Sequence, residues 1–342
     1  MKKYVFSLIV LLSLSLAVVR AQDVHFSQFF EAPILRNPAL AGLFDGDVRV
    51  QAVYRTQWGN ITVPYKTGAL SAEYKQPIGN NNDFITMGLQ LLYDKAGTVN
   101  FTTTHVLPAV NYHKSLSDDH TKYLSLGVMG GFIQQSIDRS KMTTNNQYDG
   151  GAWNPAIADG EALAANSYHH WDGGLGVSFN SSINGNPADN YYIGLAYQHF
   201  NRPKNSFYKN PLIELNARWE FTSGVKFSLD EKSFFTIYGN YSKQGSYTET
   251  LAGALYGFRL GEDVEQPDYT VQFGAMMRLK DAIIPMVKLD HKPYSITVSY
   301  DANTSTLNSG AGRPNAFELS LTYTGFTKRN NSTLNAIACP RF

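Results

Sequence analysis

The 342 residues carry 29 Lys and Arg against 28 Asp and Glu, a single cysteine and a net charge of +1. Hydrophobic residues make up 43%, aromatics 13% and charged residues only 17%, against about 25% charge in an average globular chain. Near-neutrality without a basic block excludes a nucleic-acid footprint, one cysteine excludes a disulfide scaffold or a cysteine-clustered metal centre, and the aromatic content excludes disorder.

Lys2 and Lys3 precede an apolar run from Tyr4 to Val19 that ends in Val19-Arg20-Ala21. A membrane span needs about 20 apolar residues. This run is shorter, so residues 1–21 read as an export signal cleaved after Ala21. No cysteine follows the run, which excludes a lipoprotein, and its removal leaves 26 basic against 28 acidic residues.

Beyond Ala21 the pattern has period two. Val48, Val50, Ala52 and Tyr54 share one face and Arg49, Gln51 and Arg55 the other. The same beat recurs in fourteen segments: 48–57, 67–76, 84–93, 101–113, 122–133, 171–180, 190–200, 212–222, 234–242, 247–258, 269–279, 282–290, 293–301 and 316–326. In 212–222, Glu214, Asn216, Arg218 and Glu220 alternate with Ile213, Leu215, Ala217, Trp219 and Phe221. A soluble sandwich would also alternate. Three features favour a membrane barrel: the export signal, segments near ten residues long, and aromatics toward their ends (Tyr54, Tyr74, Tyr93, Phe221, Tyr300, Tyr323) as interfacial girdles require. The fold class is therefore all-β, a transmembrane up-and-down antiparallel β-barrel over 47–326, of about fourteen strands with twelve and sixteen left open. An even count puts both ends in the periplasm and the long connections 134–170 and 302–315 outside. Pro108 and Pro285 fall inside segments and predict bulges or shifted boundaries.

No catalytic constellation emerges, and no cofactor is called for. His169 and His170 are adjacent, and neighbours on a strand point to opposite faces. Gly173-Gly174-Leu175-Gly176 lacks the Lys-Ser/Thr and helix of a phosphate loop and reads as close-packed barrel wall. His105, His113 and Asp94 fall on neighbouring segments, with no Ser singled out beside them. In the 134–170 connection, Tyr148 and Trp153 are candidate partner anchors, and Asp159–Asn166 is expected to form a short helical turn. Cys339 lies beyond the last strand, either free or paired with another chain.

Gln22-Asp23-Val24-His25-Phe26-Ser27-Gln28-Phe29-Phe30, then Asn37-Pro38-Ala39-Leu40-Ala41-Gly42, then Tyr54-Arg55-Thr56-Gln57-Trp58, resembles the opening of the PorP/SprF family of type IX secretion system membrane proteins. Val298-Ser299-Tyr300-Asp301, Phe317–Tyr323 and the ending Cys339-Pro340-Arg341-Phe342 agree, so the resemblance covers nearly the whole chain after the signal. It implies an outer-membrane barrel of Bacteroidetes-type bacteria, similar to fatty-acid-transporter-like barrels, embedded in lipid and lipopolysaccharide. It also implies partners: the type IX translocon, periplasmic ring components, and a large exported surface protein such as a gliding adhesin. The ending inclines toward the SprF-like branch. The signature residues are then His25, Phe26, Gln28, Asn37, Pro38 and Gly42.

Residues 22–46 cannot face lipid as irregular backbone, and Pro33 and Pro38 bar a continuous helix or ladder. The favoured placement is a plug in the lumen, its backbone held by inward-facing Arg49, Arg55, Glu73 and Arg218; a periplasmic strap across the barrel base is the alternative. Residues 327–342 read as a periplasmic tail. Two other functions stay open: a porin or hydrophobic-solute transporter, and an enzyme at the barrel rim.

Overall fold

The computed structural model describes residues 23–79, 82–261, 267–305 and 315–327. The signal, Cys339, the tail after Thr327 and most of the 302–315 connection lie outside the described residues. The barrel strands are β1 (Val48–Gln57), β2 (Tyr65–Ile78), β3 (Asp83–Ala96), β4 (Phe101–Ser115), β5 (Lys122–Ser136), β8 (Ser167–Ile183), β9 (Asn186–Gln198), β10 (Arg218–Ser228), β11 (Ser233–Gln244), β12 (Tyr247–Leu260), β13 (Tyr269–Arg278), β14 (Ala282–His291), β15 (Tyr294–Asn303) and β16 (Asn315–Gly325). The remaining two, β6 (Tyr148–Asp149) and β7 (Ala152–Trp153), form a separate hairpin in the longest described connection. All fourteen barrel strands are antiparallel to their neighbours, and β1 closes the ring on β16 from Val48↔Gly325 to Gln57↔Ala316.

The wall is inverted relative to a soluble protein. On β1, Arg49, Gln51, Val53 and Arg55 are buried inward, while Val50 and Tyr54 are 37% and 43% exposed. On β16, Glu318, Ser320 and Thr322 are buried while Phe317, Leu319 and Leu321 face out. Such a band of apolar side chains on a closed ladder satisfies every main-chain group without water, the condition for residing in lipid. Among the described residues no helix is long and apolar enough to cross a membrane; the strands do the crossing.

Three expectations are corrected. The segment 212–222 is displaced: β10 runs Arg218–Ser228, and residues 212–217 belong to the outer connection, where Leu212 is 88% exposed and Glu214 bridges to Lys204. The cause is β9, which ends at Gln198; His199 then takes φ 55° and turns the chain out of the barrel ladder, so residues 213–215 bond to 203–205 within the connection instead (Asn205 N–H to Ile213 O, 3.0 Å; Leu215 N–H to Pro203 O, 2.9 Å). Pro108 and Pro285 produce neither bulges nor boundaries. Register is unchanged across them, Val106↔Phe132 to Ala109↔Met129 and Ile283↔Ala302 to Met286↔Ser299, with pairing to one neighbour skipped where the proline lacks its donor. Asp159–Asn166 makes no helical turn. Arg139 draws Asp159 into a two-pronged ion pair (2.7 and 2.8 Å), and the Ala164 N–H donates to Phe207 O (3.1 Å) in the neighbouring outer connection.

The exposed face sets a stability requirement. Val128, 49% exposed near the middle of β5, should tolerate leucine, whereas Val128→Arg is expected to cost about 2–4 kcal/mol of folding free energy, measurable by urea titration of barrels refolded into lipid vesicles.

Candidate functional site

Residues 23–46 occupy the lumen. Their sequence makes three single turns: 3-10 at Phe29–Glu31, α at Pro33–Arg36 with Pro33 at its start, and 3-10 at Pro38–Leu40, which Asn37 caps by accepting from the Ala39 N–H (2.8 Å). A chain of single turns leaves many main-chain groups unpaired by itself, and inside a barrel these need partners. The inward side chains supply them.

Glu318 accepts from the Ser27 and Gln28 N–H groups (2.7 and 2.8 Å) and from Arg55. Asn111 donates to Ala39 O and Ala41 O (2.8 and 2.7 Å), Ser178 to Ala39 O (2.8 Å), and Gln198 to Leu35 O and Arg36 O (2.9 and 2.7 Å). Glu73 accepts from the Gly42 N–H (2.7 Å) and from Arg49 Nε (2.7 Å); Arg49 in turn donates to Leu43 O (3.3 Å). The segment's own charges are matched as well: Arg36 with Glu220 (3.1 Å) and Glu31 with Lys288 (2.8 Å).

Apolar side chains fill the rest. Phe29 packs with Tyr238, Leu251, Leu255, Met276 and Ile284; Ile34 with Leu107, Met129 and Ile133; Phe26 with Val53 and Leu92. Close approach is made possible by missing side chains on the wall. A Cβ on Gly176 would lie 1.9 Å from Asn37 Oδ1, and one on Gly127 would lie 2.4 Å from the Pro38 carbonyl carbon. Gly42 itself turns with φ 87°, where a Cβ would meet Thr86 Oγ1 at 2.1 Å.

The signature residues thus come together against the wall. Gln28 donates to Ser299 Oγ (2.9 Å), and His25 lies 3.6 Å from Glu249. All four inward residues singled out from the pattern touch the segment: Arg49 and Glu73 through its main chain, Arg55 through Ser27 Oγ (2.9 Å), and Arg218 through Asp23 (3.7 Å). Sequence reasoning missed Asn111, Ser178, Gln198, Lys288 and Asp301, which accepts from Ser27 Oγ (2.8 Å) and pairs with Arg55 (3.0 Å). Their signal was present, a polar residue on an inward beat, but the partner depends on which strands face one another across the lumen. His105 and His113 do not form a site with Asp94: eight residues apart on β4, they are separated by about 27 Å of strand, and His113 is buried between Thr86, Asn111 and Ser125. His169 points outward and His170 inward. Tyr148 and Trp153 pair across the β6–β7 hairpin, 60% and 45% exposed.

The segment runs the full height of the barrel. Asp47, bonded to Thr327, marks the end where β1 begins and β16 finishes; Asp23 lies at the opposite end, held by His199. His199 Nε2 reaches Asp23 (2.6 Å) and Nδ1 reaches Asp172 (2.5 Å). Burial opposes charge on this imidazole, and the two carboxylates more than offset it, holding its pKa up to about 10.

The family described as type IX secretion system membrane protein PorP/SprF matches residues 18–323. The chain belongs to the PorP/SprF family. Its fold and family place it in the outer membrane. Comparison with curated proteins gives no match. Similar solved structures include the translocator domain of the autotransporter NalP from Neisseria meningitidis (11% identity, 87% of this chain and 96% of that one, TM-score 0.44). The Ralstonia pickettii toluene transporter TbuX (10%, 86% and 93%, TM-score 0.47) and a Pseudomonas aeruginosa FadL homologue (9%, 84% and 92%, TM-score 0.45) are others.

Two predictions concern this PorP/SprF lumen. Glu318→Ala strands the Ser27 and Gln28 N–H groups and removes a carboxylate from Arg55; breaking a buried ion pair costs about 3–5 kcal/mol, so trypsin should cut at Arg36 in the variant and not in the wild type, with the barrel still migrating as folded. His199 has a raised pKa, so its stabilisation is complete below about 6.5, the ordinary histidine value, and is lost as pH rises through about 10. Protease protection of the Asp23 end in detergent should fall across that interval, and His199→Gln should flatten the profile.

Proposed function

We propose that this PorP/SprF protein is a non-enzymatic outer-membrane partner that assists export of one large surface protein, gliding-adhesin-like, and holds it at the cell surface. Family membership puts it in type IX secretion, and the observation that carries the reading further is the occupied lumen. A segment tied to the wall by bonds on β1, β2, β4, β8, β9, β10 and β16 leaves little room for a diffusing solute. What it leaves free for function are its two ends. The outer connections 137–166 and 199–217 brace each other, through Ala164 and Phe207 and through Tyr208 Oη on Glu161 (2.6 Å), and they present Tyr148, Trp153, Tyr208 and Leu212. In this reading they and the 302–315 connection receive the exported protein, while the periplasmic turns and the 327–342 tail meet the translocon and ring components.

The test pairs two measurements. In planar bilayers the wild-type barrel should conduct little, and deletion of residues 22–46 should open it. Deleting the gene should remove one large protein from the surface proteome while other exported proteins stay. Loss of all of them from the surface would assign the barrel to the shared machinery, and an unchanged surface with a fall in uptake of a solute would make it a transporter.

A further inference from the structure

β8 is paired unequally on its two sides. Toward β5 its ladder runs up to Ser136↔Ser167, whereas toward β9 it stops at Gly174↔Gln198. Residues 167–173 therefore form a strand edge at the outer rim. Main-chain groups of alternate residues point to alternate neighbours, and Phe200 N–H on Gly173 O (3.4 Å) shows that the odd-numbered residues face the gap. Asn201 Nδ2 covers Trp171 O (2.7 Å), and Asp172 covers the Gly173 N–H (2.8 Å). Among the described residues no further bond across the gap reaches the N–H groups of Trp171 and His169 or the His169 carbonyl. Phe200 marks the lower limit of the edge: its ring lies where a Cβ on Gly173 would be, 2.5 Å from Cε1.

The side chains along the edge are two-faced. Trp171, on the outer face, is 70% exposed, and Phe132 and His169 stack beside it. On the inner face His170 is only 9% exposed, yet neither ring nitrogen has a hydrogen-bond partner among the described residues. A buried polar ring without partners is costly, and here it sits beside an uncapped row of donors and acceptors.

An uncapped row of this kind matches one chemistry, an extended polypeptide adding as a strand. Among the described residues this chain does not supply it. β15 and β16 stand across the ring from β8, and Thr327 lies beside Asp47 at the opposite end of the wall from residues 167–171. We propose that the edge Ser167–Trp171 of β8 receives an extended segment of the exported partner as an added strand, with a polar side chain reaching His170 and an aromatic or aliphatic one lying against Trp171. The inference rests on the partner reading above and specifies its contact.

His169→Pro tests it, because this proline removes a donor that faces the gap while the ladder to β5 keeps all its bonds. With the barrel folded by its heat-shifted migration on gels, the exported protein that disappears on gene deletion should fall about tenfold at the surface, and His169→Ala, which keeps the N–H, should hold it at the wild-type level. A folded His169→Pro barrel with wild-type surface levels overturns the proposal while the partner reading stands; if gene deletion itself displaces no exported protein, the partner reading fails and takes the proposal with it. Should His169→Pro not fold, a benzophenone side chain in place of that of Trp171 decides the matter in cells. Crosslinking to that same exported protein supports the edge, and crosslinking only to this chain or to lipid, while a benzophenone in place of Tyr148 captures the exported protein, overturns it.

Discussion

Glu318 accepts from two main-chain N–H groups of the luminal segment and from Arg55, at no exposure to solvent, and the interior depends on contacts of this type. A wall that presents Leu319 and Leu321 to lipid must turn Glu318, Ser320 and Thr322 the other way. In an open pore, water would satisfy them. Here a polypeptide does, and it is suited to the task because its single turns leave carbonyls and amides unspent. Taking these charges out of water is expensive, and removing one partner of a buried pair costs several kcal/mol. The segment and the wall are in this sense one hydrogen-bonded body.

The barrel was legible because lipid demands an apolar side chain on each outward beat: Val50, Ala52 and Tyr54 could be set on one face and Arg49, Gln51 and Arg55 on the other, and the segments 234–242 and 247–258 fall within β11 and β12. Where period two misleads is beyond the reach of a neighbour. Ile213, Leu215 and Ala217 continue the beat of β10, yet β9 has already turned away at His199, so the pattern persists without a ladder. Which inward residue meets which part of the segment was not legible at all. Arg49 and Glu73 are cross-strand partners that a register would predict, but Gln198 reaching Leu35 O, or Lys288 reaching Glu31, follows from strands facing each other across the lumen. No local pattern encodes that.

The glycines show the same division. Gly173-Gly174-Leu175-Gly176 reads from sequence as tight wall packing, and on the inner face Gly176 is tight because Asn37 fills the space its side chain would take. On the outer face Gly173 accommodates Phe200, which ends the ladder. One short run therefore shapes both the seat of the luminal segment and the place where the wall stops pairing.

The position of the closing seam bears on how such a barrel comes to exist. β1 and β16 are the first and last strands, so the ring is completed only when the whole chain is present. On its inner side that seam is stitched by the N-terminal segment, through Ser27 and Gln28 on Glu318 of β16 and Ser27 on Arg55 of β1. Bulky turns carrying Phe29, Ile34 and Arg36 do not thread a finished cylinder. The bonds that seat the segment are thus bonds of the seam as well, joining the first strand to the last through Ser27.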